Sequence, residues 1–199
     1  MSVGAGIGGA AGPAGAALLV EVPRVVKAIS RQLNEKTVKT RTAAFNCLRT
    51  LAASLPGCLG EHAPSLIPGV IKALKDASAN PLRIEALSFL QLALSTHAPA
   101  VWQPHVATLV PTVLALVDDR YYKITAEALR VTSEIVRVLR PNPPESSFDF
   151  APYVAPIFGA VRARLEAQDQ DQEVKECAIE AMAVSYTHLD AADEEDSVD

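Results

Sequence analysis

Several residues in this chain have types and spacings that chemistry would use, and each has a plainer account. Gly4-x-Gly6-x-x-Gly9 has the spacing with which a strand-to-helix turn approaches a pyrophosphate. No strand fits ahead of residue 4, and no second strand and acid follow about 20 residues on, where a ribose would be read. His62, His97, His105 and His188 are candidate metal ligands or general bases. No two stand at i, i+4, and Cys58 with His62 falls short of the four ligands of a structural zinc. They are expected on the surface or at helix ends. Cys47 and Cys177 fall at core-adjacent positions, where a small buried thiol is expected, and Cys58 has no neighbour that would depress its pKa. Ser146, Ser147 and Asp149 in PNPPESSFDF suit a loop ending in a helix cap as well as they suit a nucleophile. DQDQEVKE (169–176) lacks the glycine and terminal glutamate of a calcium loop. No catalytic residue, cofactor site or metal site is therefore expected, and the chain is not expected to be an enzyme. A nucleotide-binding enzyme is the remote alternative, resting on the glycine triplet alone.

The elements that would position any site come from an internal repeat. Ala44-Phe45, Ala86-Leu87, Ala128-Leu129 and Ala178-Ile179 recur at offsets of 42, 42 and 50 residues, a period that signals stacked units. Four positions before each alanine stand Thr40, Leu82, Ile124 and Val174, and four after stand Leu48, Leu90, Thr132 and Met182, which is helical spacing. A second set interleaves with them: VPRVVKAI (22–29), IPGVIKAL (67–74), VPTVLALV (110–117) and APIFGAVRARL (155–165). Their prolines Pro23, Pro68, Pro111 and Pro156 belong in a first turn, or else kink a helix from deeper within it.

Each unit thus holds two helices. The first are predicted over 18–34, 64–75, 104–117 and 151–167, the second over 36–54, 81–95, 121–139 and 172–183. Asp76, Asp118, Asp119, Asp169 and Asp171 fall between them, where a carboxylate caps the next helix. No stretch alternates with a two-residue period between turn signals. The expected fold is all-α, a solenoid of helical hairpins stabilised by stacking. Its units are expected at about 18–56, 62–97, 102–141 and 150–183, the last one truncated.

On the second helices a polar row recurs in register. Asn46, Ser88, Arg130 and Glu180 stand two positions after the anchor alanines, and Arg49, Gln91 and Ser133 five after. Stacking would line such rows into one surface, either a partner-binding face or a merely solvated one. Arg130, Glu134 and Arg137, at i, i+4 and i+7, share one stripe. The candidate partner-binding residues are Asn46, Arg49, Ser88, Gln91, Arg130, Glu134 and Arg137.

Composition narrows the setting. The 199 residues are 49% hydrophobic and carry a formal charge of −5. Residues 190–199 hold six of the 23 acids and none of the 18 Lys and Arg, so the body is near neutral. A dedicated nucleic-acid binder concentrates basic residues on one face; nucleic acid is not an expected partner. Nor is a membrane, because the longest apolar run, Leu109 to Val117, is about half a bilayer span. An odd number of cysteines without a CxxC pair suits a reducing compartment, cytoplasmic or nuclear. Residues 1–17 are a Gly/Ala-rich segment expected to be disordered, and 184–199 an acidic tail expected to be so. VSYTHL (184–189) resembles a translated sequencing adapter, which would make that tail an assembly artefact; an ordinary acidic tail is the other reading.

EKTVKTRTAAFNCLRTL (35–51), PLRIEALSFLQLAL (81–94), RYYKITAEALRV (120–131), RVLRP…SSFDFAPYV (137–154) and DQDQEVKECAIEAM (169–182) closely resemble an internal portion of the cullin-associated neddylation-dissociated family, in wording nearest its plant or green-algal members. The resemblance covers about residues 20–183 and includes irregular loops as well as helices. It implies HEAT-type repeats, about four from a longer array. It also implies a non-enzymatic scaffold, part of a clamp around a cullin without its ubiquitin-like modifier and the cullin's RING subunit. Such a clamp regulates assembly and substrate-receptor exchange of cullin–RING (SCF-type) ubiquitin ligases. No small-molecule substrate or cofactor is implied. A nuclear-transport receptor or a phosphatase scaffold would share the period, and the irregular segments RYYKITAEALRV and DQDQEVKECAI favour the first reading.

Overall fold

The computed structural model describes residues 13–140, 148–168 and 171–189. Gly4, Gly6, Gly9, Ser146, Ser147, Asp169 and the acids of 190–199 lie outside the described residues. Among the described residues all regular structure is helical: α1 (Pro13–Gln32), α2 (Val38–Ser54), α3 (Ala63–Leu74), α4 (Asn80–Thr96), the short α5 (Pro99–Trp102), α6 (Val106–Leu114), α7 (Tyr122–Leu139), α8 (Ala151–Glu166) and α9 (Gln172–Leu189). Single 3-10 turns, Gly60–His62 and Gln103–His105, lead into α3 and α6. The first helices α1, α3, α6 and α8 form one layer and the second helices α2, α4, α7 and α9 the other, in an α-solenoid of helical hairpins. Contact is densest within the second-helix layer, where α2 packs on α4, α4 on α7 and α7 on α9.

The anchor register explains the burial along that layer. Phe45, one position after the anchor, meets Phe89 of the next unit with ring centroids 5.8 Å apart. The stripe facing the following unit is Phe45, Leu48 and Ala52 on α2, Leu87, Leu90 and Leu94 on α4, and Leu129, Thr132 and Val136 on α7, all buried. The stripe facing the preceding unit holds Phe89, Val131 and Ala181, again buried. Cys47 has the register of Phe89 but stands in the first unit, so the expectation of a buried thiol fails there and Cys47 is exposed. Cys177 is buried as expected, and burial pushes its thiol pKa up.

The structure corrects several expectations. Helix α1 begins at Pro13, ahead of residue 18, because a proline suits a first helical position and an alanine-rich run follows it. Helix α9 continues to Leu189, six residues past the expected end. The segment after Ala183 packs rather than trailing away: Ser185 is buried, Tyr186 meets the Phe158 ring edge-on at 5.4 Å, and His188 Nδ1 lies 2.8 Å from the Arg140 carbonyl. The first helix of the third unit is split, since Pro104 falls in a 3-10 turn ahead of α6, and it ends at Leu114. The four recurring prolines lie inside their helices, beyond the first turn, so each leaves the carbonyl four residues earlier without a helical donor.

Asp76 and Asp119 do not cap helices, since the N-cap positions of α4 and α7 are Ala79 and Tyr121, without side-chain caps; Asp171, just ahead of α9, does cap it as expected, its carbonyl also accepting the Lys175 N–H at 3.1 Å. Asp76, Asp119 and Asp171 each accept, through Oδ1, the N–H two residues on, from Ser78, Tyr121 and Glu173, the Asx turn that short acids favour. The second oxygens of Asp76 and Asp119 tie the units together: Arg41 Nη1 donates to Asp76 Oδ2 at 2.9 Å and Arg83 Nη2 to Asp119 Oδ2 at 2.6 Å. Both arginines are buried, and Arg83 also donates Nε to the Leu74 carbonyl at 3.2 Å. The hydrogen bonds of Ser78 and then of Arg41 hold the Asp76 carboxyl below the ordinary carboxylate range.

Candidate functional site

The polar row lies on the second-helix layer, where successive helices approach closely enough for side chains to bridge units. Asn46 on α2 is exposed and its side chain makes no hydrogen bond among the described residues. Arg49, three residues further along that helix, brings Nε to 3.7 Å from Glu85 Oε2 on α4. On α4, Ser88 donates to Glu127 Oε2 on α7 at 3.2 Å, and Gln91 is half-buried one turn on. Arg130 on α7 donates to Glu127 Oε1 at 2.6 Å and to Glu173 Oε1 on α9 at 2.7 Å. The row is therefore a chain of contacts from α2 to α9.

Sequence reasoning missed the three glutamates that complete it, Glu85, Glu127 and Glu173. Glu85 and Glu127 each precede an anchor alanine by one residue, a signal that was available. Ser133 belongs elsewhere: it is buried, with Oγ donating to the Leu129 carbonyl at 3.3 Å. Glu180 is exposed. Arg130, Glu134 and Arg137 do share a half-buried stripe of α7, with Arg137 Nη1 donating to Glu134 Oε1 at 2.6 Å.

The electrostatics follow from partial burial. Burial opposes the Arg130 charge, but the Glu173 hydrogen bond and the fields of Glu127 and Glu173 outweigh it and hold the guanidinium pKa above its ordinary value. Burial raises the Glu134 carboxyl above the usual range; Arg137 pulls it back and Glu180 adds to the rise. Paired, half-exposed charges of this kind contribute about 0–1 kcal/mol each to stability. They set a patterned polar surface more than they hold the fold.

The other candidates are not brought together. His97 ends α4 as a helix-end histidine but is buried. Among the described residues no group of three or more His, Cys, Asp or Glu is placed to hold a metal ion, and no helix is long and apolar enough to cross a membrane. An open cleft of about 530 Å³ separates α3 from α6 beside Leu74, Thr108, Pro111 and Thr112, and the arginine on its wall, Arg83, is already engaged with Asp119. The arrangement suits surface recognition by a stack of helices.

Comparison with known proteins agrees with this geometry. A family profile described as "CAND1-like, TPR repeats" matches residues 57–182. The 42-residue offset fits HEAT-type units, about 40–47 residues long, better than the 34 residues of a tetratricopeptide repeat. Cullin-associated NEDD8-dissociated protein 1 of Arabidopsis thaliana is 54% identical over 82% of this chain. Cullin-associated NEDD8-dissociated protein 2 of Rattus norvegicus is 46% identical over 81%. The chain spans 14% and 13% of the lengths of those two relatives. Among solved structures, Kap121p superposes with a TM-score of 0.74 at 13% identity, covering 85% of this chain and 16% of its own. An engineered protein reaches 0.66 at 18%, covering 85% of this chain and 65% of its own. At these identities the structural likeness shows the fold alone.

Proposed function

The chain belongs to the cullin-associated NEDD8-dissociated protein family, and from that membership we propose that it serves as part of a cullin-binding clamp. The clamp binds a cullin that lacks its ubiquitin-like modifier, together with the cullin's RING subunit. It thereby regulates assembly and substrate-receptor exchange of cullin–RING ubiquitin ligases. The reading is of a non-enzymatic scaffold working in the cytoplasm or nucleus. The observation that carries it is the 54% identity to the Arabidopsis relative over 165 residues, a span that takes in the inter-unit loops as well as the helices.

The face offered to the partner is the second-helix layer, with Asn46, Arg49, Ser88, Gln91, Arg130, Glu134 and Arg137. Asn46 and Gln91 have unused hydrogen-bonding capacity there, while a partner would reach the charged members by competing with their neighbours. Contact spread over a long array leaves little area to any four units, since a stable interface buries about 1,200–2,000 Å². The test therefore places these units in the full-length array. That array should capture an unmodified cullin and release it when the modifier is attached, and Asn46→Glu with Gln91→Glu should weaken capture. Failure of the intact array to capture unmodified cullin refutes the proposal.

A further inference from the structure

On the first-helix layer, between two consecutive units, three basic side chains converge without a counter-charge. Lys27 and Arg31, both exposed, stand one turn apart on α1, and the half-buried His62 closes the 3-10 turn that leads into α3. All three line an open cleft of about 490 Å³ between α1 and the start of α3, and no carboxylate lines it. Among the described residues none of these three side chains makes a hydrogen bond or an ion pair. Like charges at i, i+4 repel, yet α1 holds this pair with no acid engaging it.

The neighbouring clefts differ. Between α3 and α6, Arg83 is engaged by Asp119 and Lys75 is left as the single unengaged cation; beside the loop ahead of α7, Arg83 and Arg120 are faced by Asp118 and Asp119. The α1–α3 cleft lies inside the stack, since Lys72 of α3 reaches back over its far end and donates Nζ to the Asn34 carbonyl at 3.4 Å. Its wall is apolar at Pro23 and Val26 and cationic from Lys27 onward. From Pro23 to Asn34 it follows α1 for about 16 Å, the length of about five extended residues. Ser30 and Ser65 line it too, but their hydroxyl protons are committed to the carbonyls of Val26 and His62, each at 2.8 Å. Recognition therefore falls to the basic groups.

We propose that this cleft binds a phosphorylated serine or threonine segment of a partner protein, with the phosphate held by Lys27, Arg31 and His62 and an apolar neighbour lying against Pro23. A phosphomonoester carries about −1.5 to −2 charges near pH 7 and three strong acceptor oxygens, which matches two cations and a ring N–H donor. A carboxylate or a phosphodiester carries one charge and leaves a cation unmatched. Arg31 takes two phosphate oxygens as a bidentate pair, and Lys27 acts as a point charge. This binding is independent of cullin capture, which the proposed clamp makes through the second-helix layer.

The test is retention by the complete chain of a library of peptides, about seven residues long, with a central phosphoserine and degenerate flanks, followed by fluorescence anisotropy with the peptide selected. The phosphorylated form should bind at least about tenfold more tightly than the same peptide carrying serine, because only the phosphate makes the charge-assisted contacts. Lys27→Glu with Arg31→Glu should abolish that difference, and Lys75→Glu, in the next cleft, should preserve it. All three positions are exposed, and far-UV circular dichroism should show the variants folded as the parent. No preference for the phosphorylated library overturns the proposal. So does a preference that survives the double variant, or one that falls as far with Lys75→Glu. Inositol hexakisphosphate binding to this cleft more tightly than every selected peptide overturns the peptide assignment and gives the cleft to a free phosphate ligand.

Discussion

His97 closes α4 between the loop ahead of α3 and the short helix α5. Its Nε2 accepts the Leu59 N–H at 3.0 Å, its Nδ1 lies 2.8 Å from the Ala93 carbonyl, and Trp102, whose own Nε1 donates to that carbonyl at 3.1 Å, packs edge-on at 6.0 Å. An acceptor at Nε2 and a donor at Nδ1 require a neutral ring. Burial lowers the His97 pKa below its ordinary 6.5, against the Ala93 hydrogen bond, which raises it. As pH falls, the unfolded chain takes up a proton at this residue before the folded one does. The stability it contributes is thus present above 6.5, declines below that value, and is fully lost at the lower folded pKa. The melting temperature should be lower at about pH 5.5 than at about pH 7.5, and His97→Gln should flatten that interval. An unchanged slope in His97→Gln would show that another group carries it. The sequence placed this histidine at a helix end but not in the core, because its partners come from elsewhere, Leu59 from the loop ahead of α3 and Trp102 from the short helix α5.

The helices were legible because each carries its own apolar period. The offset of 42 residues located α2, α4 and α7, and the prolines located the helices between them. What links helices was less legible, since Arg41 and Asp76, or Arg83 and Asp119, lie 35 and 36 residues apart and no single-helix pattern joins them. The buried ladder and the surface row make different demands. Arg83→Ala removes the guanidinium from Asp119, Asn80 and the Leu74 carbonyl and should cost about 3–5 kcal/mol in urea unfolding, the usual effect of breaking a buried pair. Arg130→Ala, at a side chain 30% exposed, should cost about 1 kcal/mol or less. Similar losses for the two would mean that the surface row is a structural staple, and would count against its being a face held available to a partner. The sequence showed the row's residue types and their recurrence, and Glu127 three residues before Arg130 on the same helix; it did not show that Glu173 also occupies Arg130, because that depends on how α7 and α9 are spaced.

In a stack, each unit is stabilised by its own hairpin and by its neighbours, so opening energies should differ along the chain. Helix α7 buries 12 of its 18 residues, and α8 buries only Ile157 and Val161 of its 16. α7 also packs against second helices on both sides, α4 and α9, whereas α8 lies at the end of its layer. Amide hydrogen exchange should accordingly protect α7 and α4 most and α8 least. Two substitutions of comparable chemistry then separate a stack from a single cooperative globule. Leu129→Ala and Ile157→Ala each remove a fully buried branched side chain and each should cost about 2–5 kcal/mol locally. Leu129 faces the following unit across the densest layer, so its loss should accelerate exchange in α4, α7 and α9 together. Ile157 lies in the sparsely buried first helix of the last unit, so its loss should accelerate exchange in α8 and the adjoining part of α9 while α2 and α4 keep their protection. A uniform rise across all helices in both variants would mean all-or-none opening, and the nearest-neighbour account of this solenoid would then be wrong. A graded response would locate the weakest cohesion at α8, on the first-helix layer, and leave the second-helix layer as the rigid face on which a partner's contacts can be arrayed.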